Sequence, residues 1–301
     1  MTSEVLRYAA FSTGTEAPTN GAGGGPGGNP AGVVLDAAFL TDAQMLAIAQ
    51  AIGYSETAFV VHTGNNEANV RFFSPVGEVA FCGHATVATA VAFAERHGPG
   101  TLRLTTAAGV VEVSTRDEGG DLVATLTSPP TTTRPIESDV TDEALAALRW
   151  TRGQVDPRYP VHVAFAGNQH LMLAVRTRDI LAQLDYDYPA LDALMARERW
   201  TTAHLFWSEN AHTFHARNPF PPGGVVEDPA TGAAAAAFGG YLRDLGLVSL
   251  PSRVTVHQGY DLGRPSLLLV DLAPGETTVR VTGRATRIAL SPYDDLLGEL
   301  R

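Results

Sequence analysis

Two arginines in this chain are each followed, eleven residues later, by a side chain that can carry a proton. Arg71 precedes Cys82 in RFFSPVGEVAFC, and Arg217 precedes Asp228 in RNPFPPGGVVED. An alanine-rich segment that favours a helix follows each of them, GHATVATA in the first case and PATGAAAAA in the second. The spacing indicates one supersecondary unit used twice, with Cys82 and Asp228 in the N-cap regions of the two helices.

Such an arrangement has a chemical use. A helix N-terminus carries partial positive charge and backbone N–H groups that lack an acceptor within the helix. Two N-termini pointing into one cleft would hold a carboxylate or a developing enolate, while the side chains beside them exchange protons with carbon. The small residues that follow would let a ligand approach the backbone donors. This pattern predicts proton transfer on a small acid.

Each residue of this pattern also has an ordinary structural interpretation. Asp228 before Pro229 resembles a common N-cap with proline at the first helical position. Cys82 could be an inert buried thiol, and His84 could be a histidine of the hydrophobic core. Glu56 alone, at a strand edge, would be unremarkable. The matched positions in the two parts of the chain favour the functional interpretation.

The elements around these residues repeat in the same order. The first part predicts strands at VLRYAAFST and AGVVLD, a helix at AQMLAIAQAIG, strands at SETAFVV and NVRFFSP, and a buried helix at GHATVATAVAFAERHG before two further strands. The second part predicts paired strands in VHVAFAGNQHLMLAV, a helix near LDALMARERW, a strand at HTFHAR and a helix from Ala230. We therefore expect similar halves at 1–125 and 155–301 and a connection at 126–154, with a terminal strand able to cross over.

Composition excludes several classes of function. The net charge of −11 and the absence of Lys/Arg clusters argue against nucleic-acid binding. No apolar run reaches the ~20 residues of a membrane span, and MTSEVLRYAAF lacks a signal peptide, so we expect a cytoplasmic protein. The single cysteine excludes an intrachain disulfide, and His212 with His215 is the closest histidine pair. We expect no metal and a small-molecule partner.

The glycine-rich segment at 14–28 satisfies a nucleotide-binding pattern only formally. Gly23, Gly25 and Gly28 match G-x-G-x-x-G, but a dinucleotide fingerprint follows a strand and opens a helix. Here the glycines follow TEAPTN and lead into a strand. We interpret the segment as a loop and expect no cofactor.

Six motifs occur in a characteristic order along nearly the whole chain: GNPAGVVLD, GYSETAFV, RFFSPVGEVAFCGHATVATA, AGNQH, EDPATGAA and HQGYDLGRPS. In this the sequence resembles the PhzF-like phenazine-biosynthesis isomerases, relatives of diaminopimelate epimerase and proline racemase. The resemblance implies a homodimeric α/β (α+β) protein with a diaminopimelate epimerase-like fold. It has two pseudo-symmetric halves, each a curved, mostly antiparallel sheet around a central helix, with the active site between them.

The resemblance also assigns site residues. The catalytic positions fall on Glu56 of SET, His84 of GH and Asp228 of EDPATG, which in the phenazine isomerase take part in moving a proton within a dihydro-hydroxyanthranilate. The implied substrate-binding positions are Ser55, Gly83, Asn168, Gly232, Ala233, Arg264 and Ser266. We expect isomerisation of a small, cyclic carboxylic acid, with Glu56 as the proton shuttle, His84 and Asp228 assisting, and no cofactor.

Two features depart from the phenazine isomerases and leave alternatives open. Cys82 stands before GH, where those enzymes have no cysteine, and the loop at 14–28 is longer and richer in glycine. Proline racemases and diaminopimelate epimerase use a cysteine in each half, so one cysteine excludes a symmetric two-thiol racemase. An amino-acid racemase or epimerase using Cys82 and Asp228 is one alternative. A small-molecule binding protein that has lost turnover is the other.

Overall fold

The computed structural model describes residues 4–14 and 27–289 and divides the chain into two compact units. Unit 1 consists of Met1–Leu126 and Gly283–Arg301, and unit 2 of Thr127–Thr282. The segment 126–154, expected to be a connection, contributes a strand and a helix to unit 2. Most of the glycine-rich segment, residues 15–26, lies outside the described residues. No helix in the described ranges is long and apolar enough to cross a membrane.

In its described residues, unit 1 has a sheet with two helices. Its strands are β1 (Leu6–Ala10), β2 (Asn29–Val34), β3 (Glu56–Gly64), β4 (Glu67–Ser74), β5 (Gly77–Val79), β6 (Thr101–Thr106), β7 (Gly109–Glu118) and β8 (Asp121–Thr127). Its helices are α1 (Asp42–Ile52) and α2 (Gly83–His97). The pairs β1–β2, β3–β4, β6–β7 and β7–β8 are antiparallel, and β2–β3 and β4–β6 are parallel.

Unit 2 has a sheet with more helices. Its strands are β9 (Thr132–Pro135), β10 (His162–Phe165), β11 (Gln169–Ala174), β12 (Thr202–Asn210), β13 (Thr213–Arg217), β14 (Pro219–Phe220), β15 (Val225–Glu227), β16 (Ser252–Gln258), β17 (Ser266–Leu272) and the start of β18 (Arg280–Arg287). Its helices are α3 (Ser138–Ala147), α4 (Arg178–Ala182), α5 (Tyr188–Glu198) and α6 (Gly232–Asp244), with 3₁₀ turns at Arg152–Gln154, Pro221–Gly223 and Tyr260–Leu262.

The strand pairings of the two units follow the same succession. In unit 2, β10–β11, β12–β13, β16–β17 and β17–β18 are antiparallel, and β11–β12 and β13–β16 are parallel. A helix-containing crossover joins each parallel pair, as a parallel connection requires. The mixed α/β fold is thereby confirmed.

Local sequence explains where the helices begin and end. Thr41 caps α1 through a capping box with Gln44, and Gly53 ends it in the left-handed conformation at φ 68°. Helix α2 is buried from His84 to Ala94, in agreement with its lack of a polar face. It packs on β1, β2, β3 and β7, and α6 packs on β9–β12 and β17. Small alanine side chains allow this close contact between helix and sheet.

Candidate active site

The N-terminus of α2 gathers the predicted catalytic side chains of unit 1. Glu56 opens β3, and its Oε2 atom lies 3.4 Å from Nε2 of His84, which is in the first turn of α2. The Sγ atom of Cys82, the N-cap residue, lies 3.3 Å from Nδ1 of the same imidazole. The Glu56 side chain is 16% exposed and that of His84 7%. The structure therefore brings together a carboxylate, an imidazole and a thiol.

Two neutral polar residues hold the imidazole in place. Asn29, the first residue of β2, places its side-chain amide 3.2 Å from Nδ1 of His84. The Oγ atom of Ser55 lies 3.4 Å from Nε2. The role of Asn29 was missed at the sequence level, although it stands in the GNPAG motif, because an asparagine has no side-chain acid–base function that would mark it.

The start of α2 also supplies backbone donors. The first intrahelical hydrogen bond runs from the N–H of Thr86 to the carbonyl of Cys82. The N–H groups of Gly83, His84 and Ala85 therefore precede the helical ladder and have no acceptor within it. Gly83 has no side chain to shield them. An anionic group next to Glu56 and His84 would be stabilised by these donors.

Asp228 occupies a different kind of position from the one expected. It was predicted in the N-cap region, but α6 begins at Gly232 and its N-cap is Thr231, three residues after Asp228. The side chain of Asp228 is buried and accepts a 2.7 Å hydrogen bond from the Thr231 hydroxyl. The side-chain amide of Gln258 donates to the Asp228 carbonyl at 2.7 Å. Asp228 is thus held in a loop in front of the helix.

The physical reason is an insertion of three residues in unit 2. In unit 1 Arg71 binds Glu78, and Cys82 follows four residues later. In unit 2 Arg217 binds Glu227, and Thr231 follows four residues later. The pairing registers agree, because Phe73 faces Glu78 and Pro219 faces Glu227. The 3₁₀ turn Pro221–Gly223 lengthens the second hairpin, so Thr231, not Asp228, occupies the position that corresponds to Cys82.

The remaining predicted residues of unit 2 separate into two groups. Ser266 faces Gln258 across β16–β17, and its hydroxyl donates to the carbonyl of Arg264. Gly259 has φ 76°, and a Cβ there would stand 2.3 Å from that same carbonyl and 2.7 Å from the carbonyl of Pro229. The GRPS segment therefore lies against the Asp228 loop. Asn168, by contrast, is exposed in the β10–β11 turn.

A buried polar network lies behind Asp228. Nδ1 of His170 is 2.8 Å from the Thr202 hydroxyl, which donates to Oδ1 of Asn218. Nδ1 of His204 is 3.2 Å from the same oxygen, and the Asn218 carbonyl accepts from the N–H of Asp228. Burial lowers the pKa of His170 to about 3 and that of His204 to about 4. Both imidazoles are neutral at physiological pH.

Comparison with known proteins agrees with the motif order. A family model described as PhzC-PhzF, phenazine biosynthesis-like protein, matches residues 22–290. The chain belongs to this family. The trans-2,3-dihydro-3-hydroxyanthranilate isomerase of Pseudomonas chlororaphis is 31% identical over 88% of this chain and 90% of its own. The uncharacterized isomerase YddE of Escherichia coli (strain K12) is 32% identical over 85% of this chain and 90% of its own.

Solved structures support the fold of this PhzC-PhzF family member. The phenazine biosynthesis protein, PhzF family, of Bacillus anthracis superposes with a TM-score of 0.81 at 22% identity, over 95% of this chain and 98% of its own. The resemblance inferred from the motifs is therefore confirmed. The expectation of an isomerase is confirmed at the level of the family, because both relatives carry that name.

Proposed function

We propose that this protein is a cofactor-independent isomerase that moves a proton within a small, cyclic carboxylic acid. Glu56 removes the proton from carbon and returns it at another carbon of the same molecule. One observation carries this assignment: Oε2 of Glu56 is buried, and no residue in the described part of the chain donates a well-aligned hydrogen bond to it. A carboxylate oxygen in that state is available to accept a proton from a substrate.

His84 assists by holding the carboxylate and the charge that develops on the substrate. Its Nε2 atom faces both Glu56 and Ser55, so the imidazole can pass a proton to either partner or donate to a substrate oxygen. The backbone donors at the start of α2 bind the negative charge of an enolate or carboxylate. The reaction then needs no electron acceptor, since the substrate and product differ only in the position of one proton.

We propose further that the two units are copies of one ancestral unit and that Asp228 assists on the same substrate. The matching pairings, the Arg–Glu ion pair in each unit and the shared four-residue spacing from Glu to cap support the duplication. A Gly-Asn dipeptide at equivalent positions, Gly28-Asn29 and Gly167-Asn168, also supports it. In each unit the asparagine lies two residues before the residue that pairs with the first residue of the next parallel strand, β3 or β12. In this correspondence Thr202 takes the place of Glu56. The role of Asp228 and a homodimeric state rest on the family resemblance.

The test is the incorporation of solvent deuterium into substrate by the metal-stripped protein without added nucleotide. Since one relative is named for trans-2,3-dihydro-3-hydroxyanthranilate, this compound heads a panel of small cyclic acids. We expect Glu56→Gln to lower turnover by ~10²–10⁴-fold with little change in affinity. Glu67→Gln, an exposed carboxylate on the adjacent strand β4, is the matched control. Wild-type exchange by Glu56→Gln would show that Glu56 is structural.

A second candidate function is amino-acid racemisation or epimerisation. The observation that favours it is the 3.3 Å contact between Sγ of Cys82 and Nδ1 of His84, because an adjacent imidazole favours the reactive thiolate. Such an enzyme would label the α-carbon of an amino acid in heavy water. Tight binding of an acid with no exchange in any compound would instead indicate the non-catalytic binding protein.

A further inference from the structure

Three side chains of different chemical type meet at the start of α2. Within the described ranges, Glu56, Cys82 and His84 form the one group of at least three Asp, Glu, His or Cys residues whose ligand atoms converge, all within 4.8 Å of one another. The closest histidine pair in the sequence does not form such a group, because His212 contacts Ser252 and His215 contacts Glu209. Thiolate, imidazole and carboxylate are the three donor types that zinc prefers.

The three donors are close enough to bind one ion after side-chain rotation. With zinc–ligand bonds of about 2.0–2.3 Å, adjacent ligands of a tetrahedral ion lie about 3.4–3.6 Å apart. Nε2 of His84 lies 3.4 Å from Oε2 of Glu56 and 3.8 Å from Sγ of Cys82. Sγ of Cys82 lies nearer to Nδ1, at 3.3 Å, and the three donor atoms lie within 4.8 Å of one another, so rotation of the Cys82 and Glu56 side chains towards Nε2 would complete three corners of the tetrahedron. The fourth corner is left for water or a substrate oxygen.

The surroundings of the three donors also suit a metal site. The Oε2 atom of Glu56 is buried without a well-aligned donor in the described chain, which is the state of a ligand atom that needs a partner. Asn29 faces Nδ1 of His84 at 3.2 Å. When Nε2 binds a metal, Nδ1 carries the proton, and the amide oxygen of Asn29 can accept it after rotation of the amide. Such an outer partner orients a metal-binding histidine.

We infer that Glu56, Cys82 and His84 form an inhibitory site for a thiophilic divalent cation of the zinc type. Binding replaces the Cys82 thiol proton, which leaves to solvent, by a metal–sulfur bond. The thiolate and the carboxylate then balance both charges of the ion. The inhibitory consequence rests on the proposed function, because the cation would occupy the carboxylate that removes the substrate proton.

The experiment is a titration of the metal-stripped, full-length protein with Co²⁺ and then Zn²⁺. We expect one Co²⁺ per chain, with intense visible bands typical of a tetrahedral site and a near-ultraviolet thiolate-to-cobalt charge-transfer band, all abolished by Zn²⁺. Cys82→Ser should abolish the charge-transfer band and weaken Zn²⁺ binding at least 100-fold. His84→Asn should weaken it similarly, and Asn29→Ala by ~10–100-fold. His215→Gln removes an imidazole–carboxylate pair without a thiol and should bind as the wild type does.

The readouts separate this inference from the proposed function. Absence of the thiolate band, or unchanged Zn²⁺ affinity of Cys82→Ser, would overturn the site. Should the variants fail to fold, protection of Cys82 from alkylation by stoichiometric Zn²⁺ in the wild-type protein supports the site, and unprotected alkylation overturns it. Neither measurement requires a substrate. If Zn²⁺ binds with these signatures but deuterium exchange continues at full rate, the metal site stands and Glu56 is not the base.

Discussion

At the start of α2 the cap residue is Cys82, four residues after Glu78, whereas at the start of α6 it is Thr231, four residues after Glu227. The first cap faces an imidazole and a carboxylate that remains partly open to solvent. The second binds Asp228 through its hydroxyl. Equivalent backbone positions thus carry a group of titratable side chains in unit 1 and a single hydrogen-bonded carboxylate in unit 2.

The Arg–Glu ion pair that precedes the cap is buried in unit 2 and partly exposed in unit 1. Arg217 is 12% exposed and Glu227 1%, and burial raises the pKa of the Glu227 carboxyl although Arg217 opposes this. Arg71 and Glu78 are both more than one third exposed. Thr202, which takes the place of Glu56 in the proposed duplication, is buried against His170. Unit 2 therefore has a buried hydroxyl where unit 1 has a partly exposed carboxylate beside a buried imidazole and a buried thiol.

The largest difference between the two units should appear in the free energy of unfolding when the arginine of each ion pair is replaced. Arg217→Met leaves the Glu227 carboxylate buried without its partner, and we expect a loss of about 3–5 kcal/mol in the free energy of unfolding. Arg71→Met removes the exposed ion pairs with Glu78 and Asp42 and should cost at most about 1 kcal/mol. Urea denaturation of both variants measures the difference. Equal losses would show that the burial of the pair in unit 2 does not govern its contribution.

The next contrast concerns turnover. Asp228→Asn keeps the size of the side chain but removes its acid–base function, and we expect turnover to fall at least ~100-fold. Cys82→Ala should stay within about tenfold of the wild type, because the proposed proton carrier is Glu56. Steady-state rates of both variants, with folding checked by circular dichroism, decide the point. A loss of several orders of magnitude in Cys82→Ala alone would support the thiol-based epimerase.

Acid should destabilise the protein through the buried histidines of unit 2. The pKa of His170 is about 3 and that of His204 about 4, both lowered mainly by burial from 6.5. The unfolded chain therefore binds these protons first. The contribution of the neutral histidines to the free energy of unfolding is fully present above about pH 6.5. It is lost as the pH falls towards 4 and then 3. Each contributes up to about 1.4 kcal/mol per pH unit, or about 2 kcal/mol between pH 6.5 and 5.

His204→Gln isolates this effect because it removes one titrating group. Urea unfolding at pH 7.5 and 5.0 should show a smaller loss of stability on acidification in the variant than in the wild type, by about 2 kcal/mol. An identical loss in both proteins would mean that His204 is protonated, or exposed, in the folded state.

The smallest contrast concerns the second cap. Thr231→Val removes the hydroxyl that donates to Asp228, and we expect a destabilisation of about 1–2 kcal/mol. Thr231→Ser keeps the donor and should stay within about 0.5 kcal/mol of the wild type. Thermal unfolding compares the two. If serine and valine are equally destabilising, the methyl group and not the hydrogen bond to Asp228 stabilises this position.

Much of the fold follows from local sequence signals. Thr41 and Gly53 limit α1, and the near absence of a polar face over the first three turns of α2 predicted its burial. These features depend on hydrogen bonds and side-chain volumes within a few residues, so the sequence reports them directly. The convergence of Glu56 and His84 was predicted from the family motifs, and the structure adds the distance between them.

The partners of the site were beyond local reasoning. Asn29 contacts His84 from 55 positions away, and Gln258 binds the Asp228 loop from 30 positions away. Neither side chain can titrate, so only its placement by the sheets reveals a role. The His170–Thr202–Asn218 network was missed because Thr202 meets His170 from 32 positions away, although His170 lies in the AGNQH motif.

The sequence by itself determined the family, the succession of elements and the residue types available for proton transfer, because these depend on order along the chain. Only the tertiary structure decided which residues correspond. Counting eleven residues from each arginine equated Cys82 with Asp228, but the inserted turn Pro221–Gly223 shifts the chain by three residues before α6. Strand register is set by hydrogen bonds between distant segments. It places Thr231, and not Asp228, at the cap position where α2 has Cys82, and it leaves Asp228 in the loop before the cap.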